Sequence, residues 1–154
     1  MALSGMVTSN LDSRVESLDL ERLKWKIMNK DSEGVLSPDL LDKAKIEYKR
    51  FLTLLIRYPG EGLAPTELMD LMWHAHILDS KNYFKDCQTL FGHYMHHSPN
   101  FGPFNDLENE SNFNEMSNRM DDRYQLEFGE LPVGVEKEDC GGGCRSCEGT
   151  GPND

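Results

Sequence analysis

A chain of 154 residues is long enough to bury a core as one domain without disulfide staples. With 38% hydrophobic and 28% charged residues it is leaner in apolar content than an average globular chain, without reaching the composition of a disordered one. Against 16 basic side chains stand 27 acidic ones, and the resulting formal charge of -11 repels phosphate backbones, which sets nucleic acid aside as a partner.

No apolar run approaches bilayer-crossing length, and the first twenty residues hold Asp12, Arg14, Glu16 and Asp19 without an apolar signal core. Three of the four cysteines crowd into residues 140–147 and Cys87 stands alone, which is no disulfide framework for a secreted domain. The expectation is a cytoplasmic protein with no membrane partner.

Residues 1–18 carry scattered Ser, Gly and Asn and are expected to be a flexible segment, until Asp19 caps a helix bearing Leu20, Leu23 and Ile27, with Trp25 and Met28 beside them. Ser37-Pro38-Asp39 places an N-cap, a first-turn proline and an acid in order. The stripe Leu41, Ala44, Tyr48, Phe51, Leu52 and Leu55 follows at helical spacing. Tyr58-Pro59-Gly60 ends that helix, and Pro65-Thr66-Glu67 opens another towards Asp79 that is apolar on most of its circumference, as a central helix would be. A fourth helix starts at Asp79 or Ser80 and carries Tyr83, Phe84, Cys87, Leu90 and Phe91. The last carries Phe113, Met116, Met120, Tyr124 and Phe128, with Gly129 to end it. The fold expected is all-α: a single bundle of about five helices over residues 19–130, with a disordered Cys/Gly-rich tail over 131–154.

All five histidines, His74, His76, His93, His96 and His97, fall on two consecutive predicted helices joined by a tight turn, which brings antiparallel neighbours together. Asp70 lies one turn before His74 and shares its face, so the two can act as joint ligands or as ligand and orienting acid. His76, two positions on, turns about 200° away from His74. His93 with His96 or His97 has the three- or four-residue spacing of helical neighbours. A three-ligand site of His74, one of His93 and His97, and Asp70 or Cys87 would leave an open coordination position. Against this stands a plain structural role, with His74 and His76 bonded to backbone, Asp70 or Asp79, and His96 and His97 exposed. Cys87 beside His93 is a candidate nucleophilic dyad, although a lone helical Cys is more often a small buried hydrophobe.

The stretch from Asp70 through Trp73, His74 and His76 to Asp79, followed by Tyr83, Cys87, Gly92 and His97-Ser98-Pro99-Asn100-Phe101-Gly102, resembles the glycine-rich-domain-containing-protein-like family in its short bacterial form. The likeness covers roughly residues 37–130 on motif positions. It implies a helical fold and marks Asp70, Trp73, His74, His76, Tyr83, Cys87, Gly92 and His97 as recurring positions. It implies no reaction.

In the tail, Cys144-Arg145-Ser146-Cys147 with Gly149 and Gly151 resembles a single repeat of the zinc-binding region of J-domain chaperones. Three thiolates, Cys140, Cys144 and Cys147, need a fourth ligand from Cys87, a histidine, a second chain or a metal recipient. An inert tail fits the same composition.

The leading functional expectation is a metal-binding or metal-handling protein in which His74, His76, His93 and His97, with Asp70 and Cys87, hold zinc, iron or copper. The alternatives are a non-enzymatic module that binds a protein partner through its acidic surface and the aromatic loop from Pro99 to Phe104, and a recognition domain whose cysteine tail another enzyme modifies. A metalloenzyme comes third.

Overall fold

Helices begin where a polar side chain takes over backbone N–H groups that a first turn leaves without partners. The computed structural model describes residues 10–30, 36–97 and 107–134, with backbone alone at 107–110. Six helices lie in these spans: α1 Ser13–Glu16, α2 Glu21–Lys30, α3 Pro38–Arg57, α4 Glu67–Leu78, α5 Ser80–Phe91 and α6 Leu107–Phe128. No strand occurs among the described residues. Asp12, Ser37 and Thr66 each cap a helix by accepting a backbone N–H, from Arg14, Leu40 and Met69 respectively.

The all-α expectation therefore holds, with one helix more than foreseen. The stretch before Asp19 contributes α1, because Asp12 caps a short turn that drives Val15 fully into the core. A single buried valine gives no periodic signal, which is why this part of the expected flexible segment reads as loose. The Cys/Gly-rich tail beyond Gly134, including Cys140, Cys144 and Cys147, lies outside the described residues, as does the loop from Pro99 to Phe104.

Helix α4 packs against α2, α3 and α5, and so takes the central place that its apolar circumference predicts. Met69 and Met72 are fully buried on it, and Trp73, Ala75 and His76 nearly so. The stripe Leu41, Ala44, Tyr48, Phe51 and Leu52 of α3 faces this core, and burial of its large apolar side chains, Leu41, Phe51 and Leu52, contributes roughly 1.5–3 kcal/mol each. Trp25, by contrast, is 66% exposed.

The rear of α3 is buried as well, because α6 lies against it. There Arg50 donates to the Tyr124 hydroxyl at 2.6 Å and to Glu130 at 2.8 Å. Tyr124 in turn donates to Glu47 at 2.5 Å, and Glu47 accepts the Val133 N–H at 3.2 Å. Burial pushes the Glu47 carboxyl above the usual carboxylate range.

One break in helix geometry decides where the histidines go. Gly92 ends α5 with φ +79°, a left-handed conformation that side-chain-bearing residues adopt only at a cost of about 1–2 kcal/mol. His93, His96 and His97 therefore lie on a non-helical arm, and their three- and four-residue spacings do not place them side by side.

Candidate functional site

Three side chains from two elements converge on one face of α4. Asp70 and His74, one turn apart, project from the same helical face, and His97 arrives from the arm. His97 Nε2 lies 2.7 Å from Asp70 Oδ1 and 3.0 Å from His74 Nε2, and His74 Nε2 lies 3.5 Å from Asp70 Oδ2. One ligand atom from each residue falls within 4.8 Å of the others.

A ring nitrogen has a single in-plane position, holding either a proton or a lone pair. His97 Nε2 can thus make one well-directed hydrogen bond, to Asp70 or to His74, and reaches both only by sharing one proton in a weaker three-centre bond. A divalent cation would accept a lone pair from all three residues at once. Two imidazoles and a carboxylate suit zinc, iron, copper or nickel, and three protein ligands leave coordination positions open.

His97 is the most constrained of the three. Its side chain is only 10% exposed, against 55% for His74. Its ring is stacked on Trp73, with centroids 4.2 Å apart and planes 6° from parallel. Its Nδ1 is buried with no hydrogen-bond partner among the described residues.

The other sequence candidates go elsewhere. His76 is buried and doubly bonded, with Nδ1 2.8 Å from the Tyr48 hydroxyl and Nε2 2.8 Å from Asp86 Oδ2. Burial holds its pKa below the ordinary 6.5, although Asp86 acts in the opposite direction. The acid it meets is Asp86 rather than Asp79, which instead pairs with Arg22 and Asn82. His93 is exposed and its Nδ1 donates to the carbonyl of Tyr94 at 3.0 Å. Cys87 is buried, burial raises its thiol pKa, and its Sγ accepts the Met95 N–H at 3.5 Å. No contact joins it to His93 in the geometry of a nucleophilic dyad.

Spacing gave no role to Trp73, Tyr83 or Asp86. His76 and Asp86 lie ten residues apart across the α4–α5 turn, a separation that carries no local signal.

Asp70, His74 and His97 open onto a cleft of about 1550 Å³ with walls that include Leu55, Tyr58, Leu90, Phe91, Phe113 and Met116. No Lys or Arg lines it among the described residues.

Fold and site together define a small all-α protein with a surface cluster of two histidines and one aspartate beside an apolar cleft. The chain belongs to the UCP032817-like family, whose model matches residues 14–118. That match corrects the resemblance to the glycine-rich-domain-containing-protein-like family, which rested on a few motif positions around α4 and α5. It takes in α1 from its second residue, all of α2 to α5 and the first part of α6, and hence all three converging residues, and it leaves the tail cysteines outside. Comparison with curated proteins gives no match, and comparison with solved structures gives none.

Proposed function

We propose that this protein binds a transition-metal ion, zinc, iron or copper, through Asp70, His74 and His97. The observation that carries the reading is the convergence of their three ligand atoms within 4.8 Å, with two contacts directed at the single in-plane position of His97 Nε2. His76, His93 and Cys87 are not part of this ligand set. Whether the ion is stored, passed on or used turns on the open positions and on the tail thiolates. The adjacent apolar cleft favours a ligand or substrate that reaches the ion, which keeps a metal-dependent enzyme as the second reading.

The test is metal analysis of the full chain, purified under reducing conditions without a histidine tag, beside His74→Ala and a variant with Cys140, Cys144 and Cys147 all changed to Ser. About one equivalent of metal, lost in His74→Ala and kept in the cysteine variant, supports the helical-domain site. Metal lost with the cysteines and kept in His74→Ala transfers the site to the tail. If none of the proteins takes up zinc, iron(II) or copper(I), the metal reading fails.

A further inference from the structure

Two of the three converging residues, Asp70 and His74, ride on a central helix, whereas His97 is delivered by an arm outside any helix. Something must fix that arm to within a few tenths of an ångström for the cluster to exist. Gly92 releases the chain from α5, and beyond it both backbone groups of Met95 are held by α5 side chains. The Met95 N–H donates to Cys87 Sγ at 3.5 Å, and the Met95 carbonyl accepts the Tyr83 O–H at 2.5 Å. Tyr83 and Cys87 are four apart and share one face of α5.

The same Tyr83 oxygen accepts the Trp73 Nε1–H at 2.9 Å. Trp73 is the platform on which His97 lies. One hydroxyl therefore fixes both the indole beneath the imidazole and the backbone two residues before it. Tyr83 is itself 2% exposed and burial raises its pKa far above the usual phenol value, so the hydroxyl stays protonated and can donate as well as accept.

We propose that Tyr83 is the positioning residue of the cluster: its hydroxyl couples Trp73 to Met95 and thereby sets His97 against Asp70 and His74. The consequence for metal rests on the metal-binding reading above. The positioning itself does not. Loss of an outer hydrogen bond that orients a ligand usually weakens metal affinity by about 10–100-fold, and the same range is expected here.

The experiment compares the full-length wild type, Tyr83→Phe and His74→Ala. In the metal-free proteins, NMR reads the His97 ring protons, which the facing Trp73 indole shifts upfield. The shift is expected in wild type and His74→Ala and lost in Tyr83→Phe, with helical circular dichroism unchanged in all three. Zinc titration with a competing chelator is expected to show a Kd at least about tenfold weaker in Tyr83→Phe. A His97 shift that survives in Tyr83→Phe overturns the proposal whether or not zinc binds. Wild type that shows the shift but binds no zinc overturns the metal reading and leaves the positioning role standing. Should Tyr83→Phe fail to fold, the wild-type hydroxyl proton answers instead: slow solvent exchange with a cross-peak to the Trp73 indole N–H is expected, and a fast-exchanging proton overturns the proposal.

Discussion

Trp73 and His97 lie face to face, with ring centroids 4.2 Å apart and planes 6° from parallel, although 24 positions separate them in the chain. The stack makes Trp73 a reporter of whatever binds His97. Trp73 is 5% exposed and the other tryptophan, Trp25, is 66% exposed, so their emissions separate into a blue and a red component. Paramagnetic copper(II) added to the full chain is expected to quench the blue component first, and zinc added beforehand to prevent it. Equal quenching of both components places the copper away from His97.

Asp70 is the only anionic member of the cluster, and its side chain is about one-third exposed. Asp70→Asn keeps the shape but removes the charged oxygen ligand. Stability is expected to change by no more than about 0.5 kcal/mol, as for most surface substitutions, while chelator competition shows zinc affinity falling by roughly tenfold or more. A stability loss with unchanged affinity would assign Asp70 to the fold rather than to a site.

His76 predicts a pH dependence with a definite sign. Its ring nitrogens face Tyr48 and Asp86, and burial lowers its folded pKa below the ordinary 6.5 against the opposing pull of Asp86. Between the folded and unfolded values the unfolded chain binds more protons, so stability rises with pH through that window. The contribution is complete above about pH 6.5 and is lost as pH falls through the folded value, with a slope of at most about 1.4 kcal/mol per pH unit. Denaturant midpoints of wild type and His76→Gln, measured from pH 5 to 8, isolate it as the difference in slope. Parallel curves would rule His76 out as the source.

Tyr124 joins Arg50 to Glu47 behind α3. In Tyr124→Phe the ring still fills its place, but Arg50 loses an acceptor and Glu47 a donor, both within the interior. Leaving such groups short of partners costs about 2 kcal/mol, to be read as a shift in urea midpoint at constant slope. A midpoint that does not move would mean that water replaces the hydroxyl.

The sequence by itself determined five of the six described helices, α2 to α6, and their order. Ser37-Pro38-Asp39 and Pro65-Thr66-Glu67 start α3 and α4 through first-turn chemistry, the Leu41 to Leu52 stripe sets the buried face of α3, and Gly92 and Gly129 sit where α5 and α6 end. The pairing of Asp70 with His74 is equally local, since it follows from one helical turn. Nothing local distinguishes His93, His96 and His97 once Gly92 has ended the helix. Only tertiary structure decided that His97 comes back to α4, because its place depends on Trp73 beneath it and on Tyr83 and Cys87 holding Met95. The same holds for His76, whose Asp86 and Tyr48 partners lie on two other helices. Helix starts and buried faces are properties of neighbouring residues in the chain. Convergence of side chains from separate elements is a property of packing, and it appears only when those elements are in contact.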